Sequence, residues 1–116
     1  MIKLKTYIFL SLLIISTMFV PASASAETCS SVLDSGLYEE ALPLCLQVKD
    51  NFRLGFIYGH LNDCQNMKKY YDLSDAPEAK GNLGMSLIEG RKGCEKNVQS
   101  GITYLKKGIE GNRLGF

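Results

Sequence analysis

The chain has no tryptophan, only one histidine and only three prolines among its 116 residues, and neither sign of charge prevails: 13 basic side chains stand against 12 acidic ones, a formal net of +1. So even a balance leaves no electrostatic footprint for nucleic acid. A single imidazole leaves few parts for acid–base chemistry. Close cysteine pairs are missing too. Cys29, Cys45, Cys64 and Cys94 are 16, 19 and 30 residues apart, whereas a structural zinc site wants short C-x-x-C-like spacings and dithiol redox catalysis needs C-x-x-C itself. No metal and no cofactor is implied. Beyond the N-terminal segment there is no alternating strand pattern, which points to an all-α fold.

The first 26 residues have the layout of a secretory signal. Lys3 and Lys5 form a basic start, an apolar run covers residues 7–20, and Ala22-Ser23-Ala24-Ser25-Ala26 offers two overlapping A-x-A sites. The run falls short of the roughly 20 residues a membrane span needs, and Pro21 ends it. The alternatives are an uncleaved anchor or a lipoprotein. The latter needs a cysteine directly after the cut, and Glu27-Thr28 intervene before Cys29. Cleavage after Ala26 leaves residues 27–116, 90 residues with 11 bases and 12 acids. That is one small domain, expected in the periplasm or medium with no stable membrane insertion. In an oxidising compartment four cysteines form two disulfides by default, and three pairings are open.

Helical periodicity divides the mature part. Residues 37–48 put Leu37, Ala41, Leu44 and Val48 on one stripe, with Asp34 and Ser35 available as caps. Pro43 lies inside that stretch, where proline costs roughly 3 kcal/mol, so a kink or a loose first turn is expected. Residues 51–61 carry Leu54, Ile57, Tyr58 and Leu61, residues 65–73 form a third helix, and Pro77 opens a fourth with Ala79, Leu83, Leu87 and Ile88 that ends at Gly90. After a loop over 91–96, Asn97 caps a fifth helix bearing Val98, Ile102, Leu105 and Ile109, closed at Gly111-Asn112.

A repeat runs through these helices. Leu-Gly recurs at Leu54-Gly55, Leu83-Gly84 and Leu114-Gly115, 29 and 31 residues apart, each time early in a helix after a turn. Tyrosine follows in the next helix, at Tyr70-Tyr71 and Tyr104. Glycine inside a helix costs about 1 kcal/mol against alanine, so its return at one place suggests a use in packing. The leucine fills the seam between antiparallel helices, and the glycine admits a close neighbour. Lys68-Lys69 and Lys106-Lys107 are expected to face water.

Residues 79–111, with Ala79, Leu83-Gly84, Gly90, Gly93, Tyr104-Leu105 and Lys107 in matching places, resemble a Sel-like repeat, a relative of the tetratricopeptide repeat. Cys94 stands where valine is usual. Gly101 and Gly108 replace alanines, which should loosen the second helix. The unit before it matches through Leu54-Gly55, Tyr58 and Tyr70-Tyr71, and the segment from Gly36 through Tyr38, Ala41 and Pro43-Leu44 resembles the second helix of a tetratricopeptide unit, in which a proline is often accepted. The resemblance implies a short α-solenoid of antiparallel helix pairs, about two and a half repeats, with units at 50–76 and 77–111 and the start of a further helix at 112–116. That stub is either a minimal cap or part of a longer array. The expected disulfides are Cys29–Cys45, tying the lead segment to the first full helix, and Cys64–Cys94, joining inter-helix entrances of adjacent units.

Such scaffolds bind rather than catalyse. The face opposite the leucine seam carries Arg53, Phe56 and His60 on one helix and Asn82, Met85 and Glu89 on the next, a mixture that would dock a protein or peptide. Charge is uneven along the chain: residues 27–63 sum to −4 and residues 64–116 to +3. Exported cysteine-rich members of the family have been associated with penicillin binding, yet S-x-x-K and K-T-G are both absent here, and no spacing singles out a carboxylate pair. The expectation is an exported non-catalytic protein that binds another protein or peptide, as a periplasmic adaptor or an immunity or antagonist protein. The alternative is a secreted factor acting on a host or neighbouring cell. A cell-wall or β-lactam-interacting enzyme ranks below both.

Overall fold

The structure, a computed structural model, describes residues 22–113, with side chains described from residue 28 onward. The apolar run, Leu114-Gly115 and Phe116 lie outside the described residues. Within them the fold is all-helical, with six helices: α1 (Ala22–Asp34), α2 (Tyr38–Val48), α3 (Asn51–His60), α4 (Cys64–Leu73), α5 (Pro77–Glu89) and α6 (Val98–Arg113). Consecutive helices pair as α1 with α2, α3 with α4 and α5 with α6, and α2 meets α3 and α4 meets α5 between the pairs. The pairs are antiparallel: Gly55 faces Tyr71 while Gly59 faces Met67, and Gly84 faces Gly101 while Gly108 faces Pro77.

Local chemistry sets most of the boundaries. Asp50 caps α3 by accepting the Arg53 N–H at 3.1 Å, Asp63 caps α4 through the Asn66 N–H at 3.1 Å, and Asn97 caps α6 through the Ser100 N–H at 3.1 Å. Pro77 stands in the first turn of α5 with Glu78, and Gly90 ends that helix in the left-handed region at φ 65°.

Several expectations are corrected. The lead segment is itself helical as α1, whose last residue is Asp34. The proposed caps Asp34 and Ser35 therefore do not serve α2. Its N-cap is Leu37, with no side-chain cap bond. The apolar signal for α1 was present in Cys29, Val32 and Leu33, spaced three and four residues apart on one helical face. Helix α2 runs through Pro43 to Val48. Pro43 cannot donate to the Glu39 carbonyl, but Glu39 is exposed, so water can satisfy that oxygen. Helix α6 does not close at Gly111-Asn112 and continues to Arg113.

The largest correction concerns the packing face of α6. Val98, Ile102 and Ile109 are exposed, while Gly101 and Gly108 are buried. Both glycines face α5. A Cβ on Gly101 would lie 2.6 Å from the Gly84 carbonyl oxygen, and one on Gly108 would lie 3.1 Å from the Pro77 oxygen. The two backbones approach so closely because neither carries a side chain at the crossing.

The core has two clusters, and a disulfide belongs to each. Cys29, Leu33, Ala41, Cys45, Leu54 and Ile57 form the first, and Met67, Tyr71, Ala79, Leu83 and Cys94 form the second. Helix α3 serves both, because Phe52 and Tyr58 pack on the second cluster while Leu54 and Ile57 belong to the first. The bridges are Cys29–Cys45 and Cys64–Cys94, with Cα atoms 5.0 and 4.9 Å apart, and no described cysteine is free. Both Leu-Gly pairs within the described residues sit at helix seams: Leu54 and Leu83 are buried, Gly55 lies under the Tyr71 ring and Gly84 against Gly101. Between pairs, Asp72 of α4 accepts from Lys68 at 3.2 Å and from Lys80 of α5 at 3.3 Å. Partial burial pushes the Asp72 carboxyl up, but the two lysines outweigh it and hold the group below its ordinary range. Lys68, Lys69, Lys106 and Lys107 are all exposed. Among the described residues no helix is long and apolar enough to cross a membrane.

Candidate functional site

Three of the six expected face residues line one groove. Phe56 from α3 and Asn82 and Met85 from α5 flank a cavity of about 150 Å³ whose floor is Met67 and Tyr71 of α4, with Lys92 at its edge. The side chains converge because α3 and α5 are first helices of successive pairs, with their Leu-Gly seams turned to α4 and α6. Asn82 Nδ2 donates to the Tyr71 hydroxyl at 3.4 Å. Burial raises the Tyr71 phenol above its ordinary value, so it stays protonated. Met85 is 44% exposed, an apolar side chain only partly covered.

Phe56 also borders a second depression of about 450 Å³, with Arg53, Phe52, Tyr38 and Leu33 around it. Arg53 is held there by its ion pair with Asp50, and its other guanidinium nitrogen donates to Ser30 Oγ of α1 at 3.4 Å. A larger cleft of about 500 Å³ lies where residues 74–77 meet Lys80, Lys107 and Gly111. It has no aromatic wall, and Lys80 is already paired with Asp72.

His60 stands beside the groove. Its ring stacks on Tyr38 with centroids 4.3 Å apart and planes 8° apart, and it meets Phe56 at 4.4 Å. Burial lowers its pKa from the ordinary 6.5, and the nearby Lys92 lowers it further. The Lys92 stem crosses Gly59, where a Cβ would come within 3.2 Å of its Cδ. Glu89, like His60, lines neither depression, but Arg91, from whose Nε it accepts at 2.9 Å, lines the smaller cavity. Tyr38, Tyr71 and Lys92 complete the surface without having been expected there. Tyr38 and Tyr71 read as second-helix residues, and Lys92 lies in a loop where periodicity carries no signal.

Because His60 has a folded pKa below its unfolded one, the unfolded chain takes up the proton first as pH falls through 6.5. His60 therefore favours the folded state fully above that pH and withdraws its support below it. The single imidazole makes the check direct by NMR titration. Its midpoint is expected below 6.5 and should rise, without full recovery, in Lys92→Ala, since burial is the larger cause. A midpoint at or above 6.5 would contradict the packing described.

Comparison with protein-family models, curated proteins and solved structures finds no match for the chain. Among the described residues, no group of three or more His, Cys, Asp or Glu side chains is gathered to hold a metal ion.

Proposed function

We propose that this is an exported, non-catalytic helical-repeat protein of the Sel-like type, a short α-solenoid that binds another protein or a peptide across the first-helix face of α3 and α5. The observation that carries the reading is the shared groove. Phe56, Asn82 and Met85 come from two helices 26 or more residues apart in sequence and border one cavity, which Phe56 joins to the Arg53 depression. Aromatic, methionine and arginine side chains are the types that anchor protein interfaces. Two disulfides suit an oxidising compartment, and the repeated Leu-Gly seams suit stacked helix pairs. Periplasmic adaptor and immunity or antagonist roles both use such a face.

The test is affinity capture with the protein as the cell processes it, from periplasmic extract and from medium, in parallel with Phe56→Ala and Met85→Lys. A specific partner is expected whose affinity falls by about tenfold or more in each variant, the ~1.4 kcal/mol of a modest interface anchor. A partner retained equally by both variants would place binding elsewhere. Reproducible turnover of a cell-wall substrate with no partner recovered would overturn the non-catalytic reading.

A further inference from the structure

The turn between α5 and α6 carries a lysine at a position that suits glycine or asparagine. The Cys94 N–H donates to the Arg91 carbonyl at 3.0 Å. Both residues inside that turn, Lys92 and Gly93, have positive φ, 57° and 75°. This is the pattern of a type I′ turn, which glycine, asparagine and aspartate dominate, and a long side chain there is strained. Of the other left-handed non-glycine residues, Lys49 is the C-cap of α2 and Asn62 is of the type that tolerates this region. Lys92 ends no helix, since Gly90 closes α5, so its strain points to another use.

Three contacts fix this lysine. The Cys64–Cys94 bridge ties its turn to the start of α4, Gly93 packs on the Asn62 carbonyl, and its stem crosses Gly59. Partly exposed, it lines the cavity that Phe56 and Met85 flank, whose lining has two cations and no acid. The other cation, Arg91, is paired with Glu89 at 2.9 Å, and Arg53 beyond Phe56 is paired with Asp50. Lys92 forms no ion pair among the described residues. Asp63, in the turn that Gly93 approaches, accepts from Asn66 with both oxygens, and Asp72 is held by Lys68 and Lys80. Glu95 is followed by Lys96 in the same loop. Asp34 borders the other depression and not this cavity, while Glu39 and Glu40 border neither. The field at His60 agrees, since Lys92 is the charge that lowers its pKa. One unspent positive charge thus stands beside an apolar wall.

We propose that the partner presents an acidic segment to this groove, with an aspartate or glutamate side chain paired to Lys92 and a neighbouring apolar side chain seated between Phe56 and Met85. This rests on the binding face of α3 and α5 and names the chemistry of its ligand. The cavity of about 150 Å³ takes a group the size of one ring or leucine side chain. Because Phe56 joins it to the Arg53 depression, the segment runs on past the contact, and the acid is an internal residue instead of a chain end.

An array of random octapeptides blocked at both ends, probed with the cell-processed protein, tests this. Bound peptides are expected to carry Asp or Glu within three residues of a large apolar side chain. Changing that acid to its amide should weaken the best peptide about tenfold at low salt, as measured by fluorescence polarisation. Lys92→Met keeps the stem over Gly59 and drops the charge. It should show the same tenfold loss, no further loss with the amide peptide, and no salt dependence, whereas Lys92→Arg should bind like wild type. The amide arm reads wild type alone, so it decides whatever the stability of the variants. Peptides selected without an acid, or an amide peptide that binds as tightly as the acid, overturn the proposal. So does a folded Lys92→Met that binds like wild type; if Phe56→Ala still abolishes that binding, the face itself stands. An array on which nothing binds overturns it too, and capture of a whole partner that Phe56→Ala loses would then show that the face survives without an acidic segment.

Discussion

Replacing Cys64 and Cys94 together by alanine is expected to lower the free energy of unfolding by about 4 kcal/mol. The bridge closes a 30-residue separation, and the unfolded ensemble that it restricts grows with the length of the closed loop. The shorter Cys29–Cys45 separation of 16 residues gives about 3 kcal/mol by the same relation. A domain of this size has stability on the order of 5–15 kcal/mol, so either loss is a large fraction. The longer bridge also holds the loop between α5 and α6. That loop contains three left-handed residues, Gly90, Lys92 and Gly93, and Gly93 packs directly on the Asn62 carbonyl. With the sulfurs gone, Lys92 should lose its place beside His60. Urea unfolding of the double variant supplies the number, and a loss under ~1 kcal/mol would mean that the loop is held by other contacts.

A pair of glycine substitutions is expected to move stability in opposite directions. Gly81→Ala should stabilise the protein by up to about 1 kcal/mol, because a Cβ there meets nothing within 4 Å and alanine is the better helix former. Gly101→Ala gains the same helical preference, yet its Cβ would lie 2.6 Å from the Gly84 oxygen and 3.0 Å from the Ile88 nitrogen. Those are backbone atoms, so α5 itself must move. Overpacking of this kind typically costs 1–3 kcal/mol, and a net loss of about 2 kcal/mol is expected. Thermal or urea unfolding of both variants beside wild type checks the signs. If both are stabilised, α5 and α6 do not cross at these glycines.

The two outcomes could not have been separated without the neighbour. Gly81 and Gly101 are both glycines within helical patterns, and propensity treats them alike. Only the residue across the helix pair distinguishes open space from a carbonyl oxygen. The same holds for the face of α6. Its apolar stripe of Val98, Ile102, Leu105 and Ile109 reads as a buried side by periodicity, yet the chain buries Gly101 and Gly108, packs only Leu105 toward Gly84 and leaves Val98, Ile102 and Ile109 exposed. Periodicity detects a helix with one apolar side. It does not say which element, if any, lies against that side.

The candidate face was legible in part. Phe56, Asn82 and Met85 were assigned to one surface from their offsets relative to Leu54 and Leu83, and they share a groove. Glu89, at the offset from Leu83 that His60 has from Leu54, reaches the groove only through its ion pair with Arg91, which lines it. Tyr38 reads as a second-helix residue and Lys92 as a loop residue, so neither has a first-helix offset that would assign it to the face. Helix α1 (Ala22–Asp34) has no clear sequence signal because its first five residues overlap the signal-like segment and its Cys29, Val32 and Leu33 pattern spans little more than one turn.

By itself the sequence determined that the described chain is helical, where most of its helices begin and end, and that Leu54 and Leu83 are inside. Caps, prolines, glycine termini and apolar period all act within a few residues, so their free energies can be read along the chain. The tertiary structure alone decided which glycines admit a neighbour, which stripe of α6 stays open, and which cation reaches His60. Each of those depends on an atom from a distant part of the chain, and packing or repulsion at contact distance changes sign over a few tenths of an ångström.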